Sequence, residues 1–178
     1  MKPSSDPHAV ESNPSKTASQ ALGETFKEQW ALVSEHPEMR GAFSKSLKQL
    51  VPYSGSIEPS VEELTHGRAK VSMPDRVEVR NHLNSIHAVA LMNLAELTTG
   101  LTVLFSCPEN HRSIIVGLNI RYLKKARGTI TAECRWDPPV EVRKSEHVLD
   151  VKLRDQAGDT VAEAQSIWLI GPAARAAP

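Results

Sequence analysis

Net charge is absent from this 178-residue sequence, in which 21 Lys and Arg residues balance 21 Asp and Glu residues. A chain without net charge has no overall field that would draw it to nucleic acid or to an anionic membrane. We therefore expect neither as a partner, and any site for an anion must be local. The length suits one domain with a sizeable core.

Cysteine is scarce, and no export signal is evident. Cys107 and Cys134 could form one disulfide, but residues 1–10 are polar and lack an apolar signal core. Apart from the central segment described below, no apolar run approaches the roughly 18 residues of a membrane span. We expect a cytoplasmic protein with two buried thiols. Since no Cys-x-x-Cys pair or zinc-ligand spacing occurs, we expect no metal and no resident cofactor.

Composition and periodicity divide the chain into four segments. Residues 1–16 are rich in Ser, Pro, Asn and charge, which predicts a disordered tail. Residues 17–52 are predicted to form a helical extension of two amphipathic helices, and Pro52–Gly55 to form a turn. The main domain is predicted at 53–171 and a frayed end at 172–178. The apolar residues at helical spacing in the extension are Leu22, Phe26, Trp30, Val33, Met39, Phe43, Leu47 and Leu50.

A long apolar segment lies at the centre of the main domain. Residues 86–105 are apolar nearly all round, which is typical of a buried helix. We expect Asn84 or Ser85 as its N-cap. The one charged side chain between 81 and 108 is Glu96. A carboxyl group in such a helix must be paired, hydrogen-bonded, neutral or facing a cavity.

Outside this helix the apolar residues alternate with period two, which predicts strands. Before the helix, Ile57–Leu64 contains Pro59 and would be an edge or bulged strand, and Arg68–Met73 is a second strand. After the helix, Gly128 and Gly158 lie in short polar connections that predict hairpins, and hence an antiparallel meander. The predicted inward residues of those strands are Ile114, Val116, Leu118, Ile120, Tyr122, Ile130, Ala132, Cys134, Trp136, Leu149, Val151, Leu153, Ala162, Ala164, Ser166, Trp168 and Ile170. A sheet with one apolar face would curl round the helix, giving an α+β domain.

Three positions around the helix resemble the acyl-CoA thioesterases of the hot-dog fold, including the 4-hydroxybenzoyl-CoA and phenylacetic-acid-degradation types. In those enzymes an Asn or Gln is followed by five residues, His-Gly-Gly and a helical Leu-Ala-Glu or Leu-Ala-Asp. Here Asn81 precedes His87 by six positions, and Leu94-Ala95-Glu96 places the acid nine after the histidine. The resemblance covers about residues 55–170. The chain also resembles a group of bacterial hot-dog proteins of unassigned function, which share the Pro-Tyr-Ser-Gly turn and the Arg-Asn-His-Leu sequence.

This resemblance implies thioester hydrolysis of an acyl-CoA or acyl-carrier substrate. Glu96 would be the general base or nucleophile, the Ala88 N–H the oxyanion donor, and Asn81 and His87 would orient the thioester. Two features depart from the pattern: His-Gly-Gly is replaced by His87-Ala88-Val89, and the hydroxyl residue often found four after the acid is Gly100. The bulk of Ala88 and Val89 would leave less room for a thioester.

Further residues are candidates for substrate binding. Coenzyme A would enter as part of the substrate, and its phosphates call for a basic patch. The cluster Arg121, Lys124, Lys125 and Arg127 could supply one, although a solvated hairpin tip explains the same residues. Near the acid, the candidates are Asn93, Thr99 and Gly100. The first two could equally hydrogen-bond Glu96 in a purely structural network.

Helix geometry predicts self-association if His87 and Glu96 both act. At about 100° and 1.5 Å per residue, they lie on opposite sides of the helix and about 13 Å apart along it. One thioester could then meet both only if they come from different chains, in a dimer or tetramer with sites at the subunit interface.

Two other functions are compatible with the sequence. A non-catalytic acyl-binding protein would keep the groove and lose turnover, as the missing Gly-Gly pair suggests. An acyl-carrier-protein dehydratase would use a His fourteen residues before the acid, the separation of His82 and Glu96. The Pro-Gly of those enzymes is absent, so hydrolysis is preferred.

Overall fold

The computed structural model describes residues 18–108, 111–141 and 143–173. Six strands form one antiparallel sheet in the order β1-β2-β4-β5-β6-β3. In chain order the elements are α1 (Ala18–Val33), α2 (Arg40–Leu50), α3 (Pro52–Gly55), β1 (Ser60–Thr65), β2 (Arg68–Met73), α4 (Ala88–Ser106), β3 (His111–Tyr122), β4 (Ile130–Arg135), β5 (Ser145–Arg154) and β6 (Thr160–Pro172). The sheet wraps round α4, as predicted. The predicted tail 1–16 and residues 174–178 lie outside the described residues, and β6 continues to Pro172.

The buried helix α4 begins later than predicted. Its N-cap is His87 rather than Asn84 or Ser85. Asn84 has a φ of 52°, in the left-handed region, whereas an N-cap residue needs an extended backbone. The peptide N–H of Asn81 donates to the carbonyl of Ser85 at 2.8 Å, closing a separate turn ahead of the helix. The helix therefore starts only after this turn.

By length and composition α4 could cross a membrane, since its most apolar window has a mean hydropathy of 1.6. In the structure 61% of that window is buried inside the protein, as in the core helix of a globular domain. Leu94, Ala95 and Val103 are completely buried. The helix is thus the centre of the hydrophobic core.

The predicted inward faces of β2, β4, β5 and β6 are confirmed within their strands, but that of β3 is wrong in part. Ile114 and Val116 are 62% and 50% exposed, while Ile115 packs against the core. A register shift between Ile115 and Gly117 inserts one residue and changes the face presented to the helix. Gly117 fits because a Cβ there would lie 2.9 Å from Ile167 Cδ1.

The connection from β3 to β4 is not the predicted hairpin. β3 is an edge strand that pairs with β6, whereas β4 lies in the interior of the sheet between β2 and β5. Residues 123–129 therefore cross one end of the sheet. The hairpin at Gly158 is confirmed, with a φ of 86° in the turn between β5 and β6.

The N-terminal helices cover the β1 edge of the sheet. Both predicted amphipathic helices are present, and the predicted turn at Pro52–Gly55 is a single helical turn. Trp30 Nε1–H donates to the Leu64 carbonyl at 2.8 Å, and Arg40 Nη1–H donates to the Glu62 carbonyl at 2.9 Å. β1 is the predicted bulged edge strand, although Pro59 precedes it. The β3 edge pairs with no other strand in the described part of the chain.

Candidate active site

Two clefts flank the first turns of α4. The first, here the Lys125 cleft, has a volume of about 260 Å³ and is lined by Ala88, Leu91, Tyr122, Lys124 and Lys125, among others. The second, here the Tyr53 cleft, has a volume of about 300 Å³. Its lining includes Tyr53, Ile57, Val79, His87, Val89, Ala90 and Asn93. The helix start thus separates two possible binding spaces.

Asn81 organises the loop that leads into α4. Its Oδ1 accepts hydrogen bonds from the backbone N–H of Leu83 at 2.9 Å and from the Ser85 hydroxyl at 3.2 Å. The loop is held further by Asp75, which accepts from Arg80 Nε at 2.6 Å and from the Gly128 N–H at 2.8 Å. The hydrogen bond from Arg80 holds the pKa of Asp75 below its usual value. Asn81 lines the Lys125 cleft, but its Oδ1 is engaged within the loop.

His87 and Ala88 form the start of the helix. The His87 Nδ1 accepts from the Val89 N–H at 3.1 Å, so the neutral ring carries its hydrogen on Nε2. No acceptor among the described residues takes the Ala88 N–H, which lies at the positive end of the helix dipole. The Ala88 carbonyl accepts from the Tyr122 hydroxyl at 3.0 Å. A free amide donor therefore borders the Lys125 cleft.

Glu96 is half-buried on α4, next to the one-turn helix α3. Burial raises the pKa of its carboxyl group, and a hydrogen bond from the Ser54 side chain opposes that shift. No cation among the described residues contributes to its pKa. The raised pKa suits a base that works near neutral pH. Glu96 lines neither cleft, so the structure does not bring it together with Ala88 within one chain.

The other candidates on α4 lie close to Glu96. Asn93 Nδ2 donates to the Tyr53 carbonyl at 3.2 Å. Thr99 is completely buried, and its hydroxyl accepts from Trp168 Nε1 at 3.1 Å, so it contacts Trp168 rather than open space. A Cβ on Gly100 would lie 3.4 Å from the Trp168 ring and 4.0 Å from Glu96 Oε1.

The four basic candidates are divided by the fold. Lys124 makes ion pairs with Asp155 at 2.7 Å and Asp159 at 2.6 Å, which neutralise much of its charge. Lys125 is exposed beside it, at the Lys125 cleft.

Arg127 Nε donates to the Asn84 carbonyl at 3.2 Å. Arg121 lies opposite the exposed Glu163 of β6, on the sheet face turned away from α4, and lines a separate groove there. Of the four, only Lys124 and Lys125 lie at the free amide of Ala88.

Some neighbours of the site have no signal in local sequence spacing. Ser54, Tyr53 and Tyr122 reach the site through long-range packing, and the Pro-Tyr-Ser-Gly resemblance was the one indication that the first two matter. Among the described residues, no group of three or more His, Cys, Asp or Glu side chains is placed to hold a metal ion.

Comparison with known proteins decides the family. Residues 39–170 match the family described as a domain of unknown function, DUF4442. The chain belongs to the DUF4442 family. No curated protein matches this DUF4442 chain.

Solved structures share its fold. The genomics protein APC5556 is 29% identical, with a TM-score of 0.72 over 88% of this chain and 100% of that one. PA5026 from Pseudomonas aeruginosa, described as a probable thioesterase, is 25% identical, with a TM-score of 0.67 over 74% of this chain and 95% of its own. The thioesterase SAV0944 from Staphylococcus aureus has a TM-score of 0.60 at 18% identity, covers 68% of this chain and 100% of its own, and bears on the fold alone. The DUF4442 chain shares the hot-dog fold of PA5026 and SAV0944, the two neighbours described as thioesterases, which confirms the fold expected from the resemblance.

Proposed function

We propose that this protein is a thioester hydrolase that acts on an acyl-CoA substrate. The observation that carries the proposal is the carboxyl group of Glu96, half-buried on the core helix with a raised pKa and no cationic partner among the described residues. A structural carboxylate in such a position is normally paired, because an unpaired buried charge is costly. A group held this way is suited to accept a proton during a reaction.

The reaction needs a nucleophile and a donor for the developing oxyanion. In one route, Glu96 takes a proton from water, and the oxygen of that water adds to the thioester carbonyl carbon. The C–S bond then breaks, and the thiolate leaves with a proton as free coenzyme A. In the other route, the carboxylate adds to the carbonyl carbon first and the C–S bond breaks with release of the coenzyme A thiolate, after which water hydrolyses the resulting anhydride. In both, the free N–H of Ala88 would donate to the carbonyl oxygen as it gains charge.

A composite site between two chains reconciles the positions of these groups. Ala88 borders the Lys125 cleft and Glu96 does not. We propose that Ala88 of one chain and Glu96 of another act on the same thioester, in a dimer or a higher assembly with equivalent sites. One candidate surface for this association is the β3 edge, which pairs with no other strand among the described residues.

Substrate positioning would fall to residues at the helix start. The Nε2–H of His87 is free to donate, because Nδ1 caps the helix. Lys125, exposed at the Lys125 cleft, would meet a phosphate of coenzyme A, and Lys124 would contribute less because Asp155 and Asp159 already pair with it.

A non-catalytic acyl-binding function is the second candidate. Ala88 and Val89 replace the Gly-Gly pair, and α3 lies over Asn93 and Glu96 through Tyr53 and Ser54. The dehydratase alternative loses support, since His82 is exposed in the turn before the helix.

The test is a panel of short, medium, long-chain and aryl CoA thioesters, with release of free thiol as the readout and melting temperature measured in parallel. A hydrolase releases thiol from at least one member. A pure binder is stabilised by a thioester that it leaves intact. Neither thiol release nor stabilisation with any member would overturn both candidates.

A further inference from the structure

The Tyr53 cleft has an apolar floor that contains one polar side chain, and its exposed rim includes Ser56, Glu78, Arg80 and His87. Ile57, Val79 and Ala90 are buried beneath it, and Asn93 supplies the amide. At about 300 Å³ the cleft is at the small end of the range for ligand pockets. Such a space suits a short, mostly apolar group rather than a long chain.

The amide of Asn93 has an unmet hydrogen-bond acceptor. Its side chain is only 7% exposed, and its Nδ2 donates to the Tyr53 carbonyl at 3.2 Å. Its Oδ1 is buried and has no partner among the described residues. Most buried side-chain oxygens do have a partner, since leaving one without a partner is unfavourable. Because this oxygen is closed off from solvent, a ligand O–H or N–H group would satisfy it once the neighbouring atoms that cover it move aside.

Asn93 is also a neighbour of the proposed reacting group. It precedes Glu96 by three residues on α4, a spacing that brings two Cβ atoms to about 5–6 Å. An acyl group bound at Asn93 would therefore lie within one helical turn of Glu96, although Glu96 itself does not line the Tyr53 cleft.

We propose that the Tyr53 cleft receives the acyl group and that Asn93 Oδ1 accepts a hydrogen bond from a hydroxyl on it. The preferred substrates are then short hydroxyacyl thioesters rather than the corresponding simple acyl thioesters. This inference rests on the proposed hydrolase function for its substrate, but binding alone can test it.

The experiment compares two matched ligands, butanoyl-CoA and 3-hydroxybutanoyl-CoA. Their thioesters are used for turnover, and ketone analogues with a methylene in place of the sulfur are used for calorimetric binding. The wild-type protein is expected to favour the hydroxy member about tenfold in kcat/KM and in affinity, the gain from one well-made hydrogen bond. Asn93→Leu, which removes the acceptor and keeps a similar volume, is expected to reduce that preference to less than about twofold.

Two further variants separate this effect from a general disturbance. Ser166→Ala removes another buried oxygen, on β6, that has no partner in the described part of the chain, and should keep the preference. Val89→Phe narrows the cleft from its half-exposed rim and should weaken binding of both analogues at least fivefold, without touching the core. The second variant keeps the test valid if Asn93→Leu does not fold.

The outcomes distinguish the two proposals. Equal turnover of both thioesters, or equal losses for both in Asn93→Leu, would overturn the role of Asn93 and leave the hydrolase function standing. In another outcome, the wild-type protein binds the hydroxy analogue preferentially, Asn93→Leu loses that preference, and no thioester is turned over. This result would support the acyl-binding role of the cleft and overturn the hydrolase function. Absence of binding by either analogue would overturn the cleft.

Discussion

Ser54, in the one-turn helix α3, hydrogen-bonds to the carboxyl group of Glu96 on the core helix. This hydrogen bond lowers the pKa of Glu96, whereas burial raises it. The short helix α3, which follows the N-terminal extension, thus tunes the proposed base. In Ser54→Ala this hydrogen bond is lost while Glu96 stays buried, so the pKa of Glu96 should rise further. The acidic limb of the kcat/KM profile against pH should move to higher pH, since the carboxylate is the active form. Ser145→Ala, at an exposed position on β5, should leave the profile unchanged; a profile in Ser54→Ala identical to wild type would contradict the contact.

Stability should depend on pH through the same carboxyl group. Because the folded pKa of Glu96 is raised above its unfolded value, its favourable contribution is fully present below the unfolded pKa and is lost as pH rises through the folded pKa. Glu96→Gln, which resembles the protonated form, should therefore melt higher than wild type at neutral pH and equally at acid pH. A difference of about 1 kcal/mol would appear as ~2–4 °C for a chain of this length. Melting curves at several pH values check this, and a variant that is less stable at neutral pH would argue for a paired, structural carboxylate.

The oxyanion donor can be removed without breaking the helix. Ala88 is the first residue of α4, where proline is tolerated, and the preceding His87 has an extended backbone with φ −64° and ψ 139°, which proline favours in its predecessor. Ala88→Pro deletes the N–H and should reduce kcat by about 10²–10³ with little loss of stability. Ala88→Gly keeps the N–H and should retain activity. Full activity in the folded proline variant would show that this amide is not the donor.

Mixing two inactive variants tests the composite site. In a dimer of Glu96→Gln with Ala88→Pro, one of the two sites combines an intact Ala88 with an intact Glu96. Equal mixing after dissociation should place half of the dimers in this hybrid form and restore about one quarter of wild-type activity. If both groups act within one chain, mixing should restore nothing.

Sequence patterns anticipated the parts of the fold that depend on local periodicity. The all-round apolar segment predicted the buried helix and singled out Glu96, and alternation located the inward faces of β2, β4, β5 and β6. On β3 alternation failed, because the extra residue between Ile115 and Gly117 changes the face and leaves no mark on the sequence pattern.

Local sequence periodicity does not predict features that depend on contacts between residues distant in the sequence. The loop 123–129 has the composition of a hairpin, but β3 pairs with β6, so the loop crosses the sheet end instead. The predicted start of α4 is too early because Asn is common both at N-caps and in turns, and Asn84 lies in a turn. The Ser54 contact with Glu96 arises from packing of α3 on α4, and no spacing rule connects them.

The most direct test of the account is thiol release from the best CoA thioester by wild type, Glu96→Gln and Glu163→Gln in parallel. Glu163 is an exposed glutamate on the sheet face turned away from α4, so its substitution makes the same chemical change outside the site. The account predicts a loss of about a hundredfold or more in Glu96→Gln and wild-type rates in Glu163→Gln. Wild-type turnover in a folded Glu96→Gln protein would contradict it.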